Sequence, residues 1–160
     1  MIRVGNALDV HAFADAAERG LILAGVPVPD APGLAGHSDA DVVAHAVAEA
    51  LLGAAAMGDL GSRFGIDRPE TAGADSMRLL ADVVGDLAGA GWEVGNVDVT
   101  VVAQRPRLAS HRDEMRRNLA VRLAVEASEV SVKFTTTDRL GAIGRGEGIA
   151  ALAVVTIQTR

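Results

Sequence analysis

Asp9 and His11 stand two residues apart in VGNALDVHAF, a stretch whose residue types suit a β-strand. Side chains two apart on a strand point to one face, so this strand presents a carboxylate and an imidazole together. A second imidazole, His45, lies in GHSDADVVAHAV, about two turns into an expected helix. Asp, His and His are competent ligands for a divalent cation, and three protein ligands leave a fourth tetrahedral corner open. Each residue alone has a plainer reading, because one His on a helix is more often a buried, hydrogen-bonded side chain than a ligand. The Asp-x-His pair at a strand end brings the two readings level.

Other side chains with chemical capacity are spread along the chain. RPRLASHRDEMRRNLAVR holds Arg105, Arg107, Arg112, Arg116, Arg117 and Arg122. Most of these read as a solvated helix face with Asp113 and Glu114 as local partners. Arg105 and Arg107 precede that helix and are available to a ligand. Thr135, Thr136 and Thr137 offer hydroxyls and amides, a run that strand propensity alone also explains. GRGEG supplies permissive backbone with Arg145 and Glu147, as would a hairpin turn carrying an ordinary ion pair. There is no Cys, which excludes a disulfide framework, a zinc ribbon and thiol catalysis.

These residues need elements to hold them. Residues 1–11 and 20–28 read as strands, and PDAPGLAG as the loop leading to a helix. That helix is expected to open at SDAD, with Ser38 as N-cap and Asp39 and Asp41 where the macrodipole favours negative charge. It runs to about Met57, with Val42, Ala46 and Leu51 on its buried stripe. GDLGSRFGIDRPETAG carries the breakers of a long loop. A second helix is expected over 75–89, a Val-rich strand ending near Gln104, and a third helix over 110–125. VSVKFTTT reads as a strand, DRLGAIGRGEG as a glycine-rich turn and IAALAVVTIQT as the last strand. No glycine fingerprint follows the first strand, which argues against a dinucleotide fold. The expected fold class is α+β, an α/β sandwich: a mixed β-sheet covered on one face by helices, in one domain over residues 1–160.

Of the 160 residues 49% are apolar but only 2% aromatic, so the core must be built from Ala, Val, Leu and Gly. Such small side chains bury little area each, and the chain is expected to complete its burial against copies of itself. The net charge of −6 argues against nucleic acid as a partner. The N-terminus lacks a basic-then-apolar signal pattern, and the most apolar run, Val42 to Met57, is interrupted by His45 and Glu49. A cytoplasmic protein with no membrane association is the expectation.

LDVHAF, GHSDADVVAHAV, GDLGSRFG, GADS, GNVDVTVVAQRPR, VSVKFTTTDRLG and GRGEGIA occur in this order. The series resembles that of the 2-C-methyl-D-erythritol 2,4-cyclodiphosphate synthase family of the non-mevalonate isoprenoid pathway. The likeness runs from Val4 to the last strand, and the chain is expected to carry this activity only, without the cytidylyltransferase domain of the bifunctional fusions. The resemblance implies a homotrimer with three active sites at the subunit interfaces. It implies Zn2+ at Asp9, His11 and His45, transition-state stabilisation by His37 and Thr136, and Ser38 beside His37 in the substrate site. Asp9 and His11 count among the substrate contacts too, and Asp59, Gly61, Phe64 and Asp67 fall on further substrate-contacting positions. The 103–109 segment, with Ala103, Arg107 and Leu108, and Thr135, Thr136, Thr137 and Asp138 match the cytidine-diphosphate pocket. Asp138 stands where an acid helps hold a second divalent cation, Mg2+ or Mn2+. Ala142 and Arg145 match further binding positions, and Arg145 with Glu147 would border a central cavity able to take an isoprenoid diphosphate.

The implied reaction converts 4-diphosphocytidyl-2-C-methyl-D-erythritol 2-phosphate to the 2,4-cyclodiphosphate. The 2-phosphate attacks the β-phosphorus and cytidine monophosphate leaves. The substrate carries its own nucleophile, so the protein's task is to position two anionic groups and offset their charge. Zinc would polarise the β-phosphate, and a hard cation bridging the α- and β-phosphates would offset leaving-group charge.

The chain departs from the family pattern at Asn6-Ala7-Leu8, in FGIDRP (where Arg68 reverses a charge), and at Phe134, which stands for a small residue beside the cytosine pocket. Arg107 replaces a Lys, Asp138 a longer Glu and Ala142 a bulkier side chain. None of these removes a zinc ligand. Two other readings stand beside the cyclising lyase. One is a zinc-dependent phosphohydrolase, against which the lack of a Glu base as in H-E-x-x-H counts. The other is a non-catalytic metal- or isoprenoid-binding trimer.

Overall fold

The computed structural model describes residues 1–15, 19–36, 38–65 and 73–160. Its strands are β1 (Ile2–Ala12), β2 (Gly20–Leu23), β3 (Val26–Pro32), β4 (Trp92–Val102), β5 (Val130–Thr135) and β6 (Gly148–Thr159). Its helices are α1 (Val42–Ala55), α2 (Leu60–Phe64), α3 (Ser76–Gly89), α4 (Arg112–Leu123) and α5 (Gly141–Gly144).

The main sheet has the order β1-β6-β4-β5, and β2 with β3 forms a separate hairpin. β6 runs antiparallel to both neighbours while β5 runs parallel to β4, so the sheet is mixed. This topology gathers the C-terminal ends of β1, β4 and β5 and the start of β6 at one end of the sheet. A row of paired residues, Asp9, Ala151, Val101 and Phe134, crosses all four strands there.

Period-two alternation gives the sheet one dry face. Val97, Val99, Val101, Val130, Val132, Ala151, Ala153, Val155 and Ile157 are buried on it. α1 packs across β1 and β6, and α3 and α4 lie over β4 and β5. α1 is apolar nearly all round because the sheet takes one side and α3 the other. On the opposite sheet face Ile2, Val4, Leu8, Val10, Leu152 and Val154 are exposed. No helix among the described residues is long and apolar enough to cross a membrane.

The structure corrects several local expectations. Residues 20–28 are not one strand: Ala24 and Gly25, with φ 51° and 70°, make a two-residue turn of the primed kind that hairpins favour, and β3 continues through the proline-rich stretch expected as loop. The first helix is capped by Asp41, not Ser38. The Asp41 carboxylate accepts from Val43 N and Ala44 N at 3.1 and 3.0 Å, and from Ala24 N and Gly25 N of the hairpin turn at 2.9 and 2.7 Å. His45 therefore stands one turn into α1 rather than two, and the helix stops at Ala55, where Ala56 turns left-handed. Within the expected long loop, Asp59 and Ser62 form a reciprocal capping box that nucleates α2.

Candidate metal centre and nucleotide loops

β1 and α1 bring three side chains to one point. Asp9 and His11 project from the dry face of the edge strand, and His45 projects from the first turn of α1. Asp9 Oδ2 lies 3.0 Å from His11 Nε2 and 3.3 Å from His45 Nδ1, and the two nitrogens are 3.4 Å apart. Ligand atoms around a tetrahedral ion with bonds of about 2.0–2.1 Å stand about 3.3–3.4 Å from one another. The trio holds the spacing of three corners of one coordination tetrahedron. Among the described residues it is the one group of His, Asp or Glu side chains gathered closely enough to share an ion.

Proton placement agrees with that reading. His11 Nδ1 lies 2.7 Å from the Ala35 carbonyl and donates to it, which leaves the lone pair on Nε2. His45 Nε2 lies 2.8 Å from Ser76 Oγ and 3.1 Å from Ser38 Oγ, and donating there leaves the lone pair on Nδ1. Asp9 Oδ1 accepts from Val10 N at 3.0 Å, which frees Oδ2 for the cluster. Burial opposes ionisation of Asp9 most strongly, but the hydrogen bonds and charges of His11 and His45 together outweigh it and hold the carboxyl well below the usual range. The Asp9 hydrogen bond raises His11 above its ordinary value against the opposing effect of burial. A divalent cation between these groups would take the place of the protons shared with Asp9, and one carboxylate with two imidazole nitrogens is a donor set that suits zinc.

A second cluster lies at the ends of β4 and β5. Ala103 N donates to Thr135 O at 3.0 Å and Arg139 N to Gln104 Oε1 at 3.1 Å. Arg105 Nη2 donates to Gly146 O at 3.3 Å. These bonds join the 103–109 segment, Thr135 to Asp138 and the GRGEG turn. Ala103 and Leu108 are buried in its floor, whereas Arg107, Thr135, Thr136, Asp138 and Ala142 are exposed. Thr136 Oγ1 accepts from Asp138 N at 3.1 Å. Arg145 is exposed and paired with Glu147 at 2.5 Å. Phe134 turns inward, half-buried, with the Arg112 guanidinium 5.3 Å from its ring centre.

The remaining candidates divide. Ser38 is buried against His45, Asp59 caps α2 beside Gly61, and Phe64 closes that helix against the core. His37 and Asp67 lie outside the described residues. Neighbouring strands are about 4.8 Å apart, so the three steps of the paired row separate Asp9 from Phe134 by about 14 Å. Within one chain the metal trio and the β5 loop occupy opposite edges of the sheet. Sequence reasoning passes over Ser76, which GADS contains but which its local pattern marks only as a helix start, and the Ala35 carbonyl, which no side-chain pattern reveals.

Comparison with known proteins adds the relationship. Residues 2–158 match the YgbB family model. A relative from Rubrobacter xylanophilus, "2-C-methyl-D-erythritol 2,4-cyclodiphosphate synthase", is 55% identical over 98% of this chain and 94% of its own length. One of the same name from Geobacter metallireducens is 52% identical over 99% of this chain and 100% of its own. Among solved structures, the bifunctional IspDF from Campylobacter jejuni superposes with a TM-score of 0.95 at 39% identity; the match covers all of this chain and 43% of that one. The "IspF (Plasmodium falciparum) CDP complex" superposes with a TM-score of 0.86 at 29% identity, over 99% of this chain and 97% of that one. Sequence, fold and the converging Asp9, His11 and His45 agree, and the chain belongs to the YgbB family.

Proposed function

We propose that this chain is a cyclising, cytidine monophosphate-releasing phosphorus–oxygen lyase of isoprenoid biosynthesis. Its substrate is 4-diphosphocytidyl-2-C-methyl-D-erythritol 2-phosphate and its product the 2,4-cyclodiphosphate. The observation that carries this is the 3.0–3.4 Å spacing of Asp9 Oδ2, His11 Nε2 and His45 Nδ1 in a chain about half identical to named synthases over nearly its whole length.

Zn2+ held by Asp9, His11 and His45 would supply Lewis acidity at the β-phosphate, and Mg2+ or Mn2+ near Asp138 would offset charge on the leaving group. The chain's own residues orient the rest. His37 is expected to stabilise the transition state, with Ser38 next to it in sequence in the substrate site, and Asp59, Gly61, Phe64 and Asp67 are expected to contact the substrate. Ala103, Leu108 and Thr135 to Thr137 enclose the cytidine diphosphate, with the Thr136 hydroxyl bonded to the phosphoryl oxygens. Arg107 and Arg145 offer positive charge to those phosphates, and Ala142 leaves room beside them.

The working assembly is a homotrimer. A diphosphate is far shorter than the roughly 14 Å between the β1 and β5 edges, so one chain cannot offer both clusters to one substrate. A neighbour packed on the bare apolar sheet face brings its β5 edge to this chain's β1 edge and completes three interfacial sites. The central cavity so formed, bordered by Arg145 and Glu147, fits an isoprenoid diphosphate. The whole of 1–160 acts as one domain in the cytoplasm, where a charged nucleotide conjugate is retained.

The test is phosphorus NMR of the protein with the cytidylyl substrate, Zn2+ and Mg2+. Cyclic diphosphate with cytidine monophosphate is the expected outcome. Linear phosphates would identify a hydrolase, and an unchanged substrate would leave a binding role.

A further inference from the structure

His45 is held from behind by the Ser76 hydroxyl and, through it, the Asp39 carboxylate, neither of them among the expected substrate contacts. Its Nε2 lies 2.8 Å from Ser76 Oγ, which in turn is hydrogen-bonded to Asp39 Oδ1. Ser76 N donates to Asp39 Oδ2 at 3.2 Å, so both donors of one residue grip the carboxylate. Ser38 Oγ closes the group, 3.2 Å from Ser76 Oγ, while accepting from Ala40 N at 3.2 Å. Ser76 is 1% exposed and Ser38 7%. Asp39 is pinned by its backbone as well, with its N–H on Ala74 O at 3.1 Å and its Oδ1 accepting from Asp41 N at 3.2 Å.

A serine hydroxyl has one proton to give. Ser76 gives it to the Asp39 carboxylate, the stronger acceptor, and can then only accept from His45. The imidazole proton is thereby placed on Nε2, and the Nδ1 lone pair faces Asp9 Oδ2 and His11 Nε2.

We propose that Ser76 and Asp39 are positioning residues for the metal: the Asp39–Ser76–His45 chain fixes the ring and tautomer of His45 and raises the affinity of the site for zinc. This rests on the reading of Asp9, His11 and His45 as the ligand set. His11 is oriented by a neutral acceptor, the Ala35 carbonyl at 2.7 Å, so the charged acceptor behind His45 is the stronger lever of the two. A purely structural role, tying the start of α3 to the loop before α1, would lower stability and leave metal binding alone.

The experiment measures zinc dissociation constants by chelator competition for the wild-type chain, Ser76→Ala, Asp39→Asn and the double variant. Thermal midpoints of the metal-free proteins and Co2+ absorption spectra accompany them. Ser76→Ala is expected to weaken zinc about 10–100-fold, the range for loss of a partner behind a metal-bound His. Asp39→Asn, which keeps the side-chain shape, is expected to weaken it less and to alter the Co2+ spectrum in the same direction. The double variant should bind no more weakly than Ser76→Ala, because both residues act through one chain. Affinities within about twofold of wild type in both single variants, whatever their midpoints, would overturn the proposal while the ligand set stood. A wild-type chain that takes up no zinc would bring down the ligand set and the proposal together.

Discussion

A Cβ added to Gly5 of β1 would stand 2.0 Å from the carbonyl oxygen of Ala50 in α1. The helix rests directly on the backbone of the edge strand, and this contact sets the height at which His45 meets Asp9 and His11. Gly5→Ala must lift α1, since the Ala54 Cβ is also only 2.9 Å from the added atom. Overpacking of this kind costs about 1–3 kcal/mol. The expected result is a lower thermal midpoint together with weaker zinc binding. Lost stability with unchanged zinc affinity would mean that His45 is placed by other contacts.

Asp41 ties two elements with one buried carboxylate, since its four backbone donors come equally from the β2–β3 turn and the start of α1. Asp41→Ala leaves all four without that partner, and an unsatisfied buried group costs about 1–3 kcal/mol. Urea unfolding should show a loss of about 3 kcal/mol or more, beyond the roughly 0.5–2 kcal/mol of an ordinary cap. Asp41→Asn should recover part of it, because three of the donors bond to the single oxygen Oδ1.

Leu8 and Leu152 are paired neighbours on the bare sheet face, 65% and 42% exposed. An Asp in place of Leu152 puts a charge where a neighbouring chain is expected to seat. Light scattering should then report monomers in place of trimers, and turnover should disappear while each chain still takes up zinc. A trimer that survives the change would place the contact elsewhere.

The inward position of Phe134 under Arg112 makes the ring part of the floor beneath the 103–109 and 135–138 segments, the proposed cytidine pocket. Phe134→Ala is expected to raise KM for the cytidylyl substrate several-fold with kcat little changed, the pattern of lost uniform binding. An unchanged KM would mean that the ring serves only the core.

Alternation and residue types are enough to place β1, β4, β5, β6 and the bodies of α3 and α4 to within about two residues. They also put Asp9 and His11 on one face. What they miss is decided by contacts distant in sequence. SDAD contains three competent caps, and Asp41 prevails because the Ala24–Gly25 turn shares its carboxylate while Ser38 is engaged by His45 and Ser76. The hairpin turn is hidden because Ala24 takes a left-handed backbone that alanine rarely adopts. α2 is anchored by Leu60 N on the Glu49 carboxylate at 2.9 Å, a bond from another helix. The convergence of His45 on the strand pair depends on how closely α1 approaches β1, which Gly5 permits and no local pattern announces.

Diffraction at the zinc absorption edge, from crystals of the zinc-saturated chain and of His45→Ala, addresses the metal site most directly. One anomalous peak should lie about 2 Å from Asp9 Oδ2, His11 Nε2 and His45 Nδ1, with a fourth position open, and should vanish in the variant. A saturated crystal with no peak there, or a peak that survives loss of the His45 ring, would contradict the account.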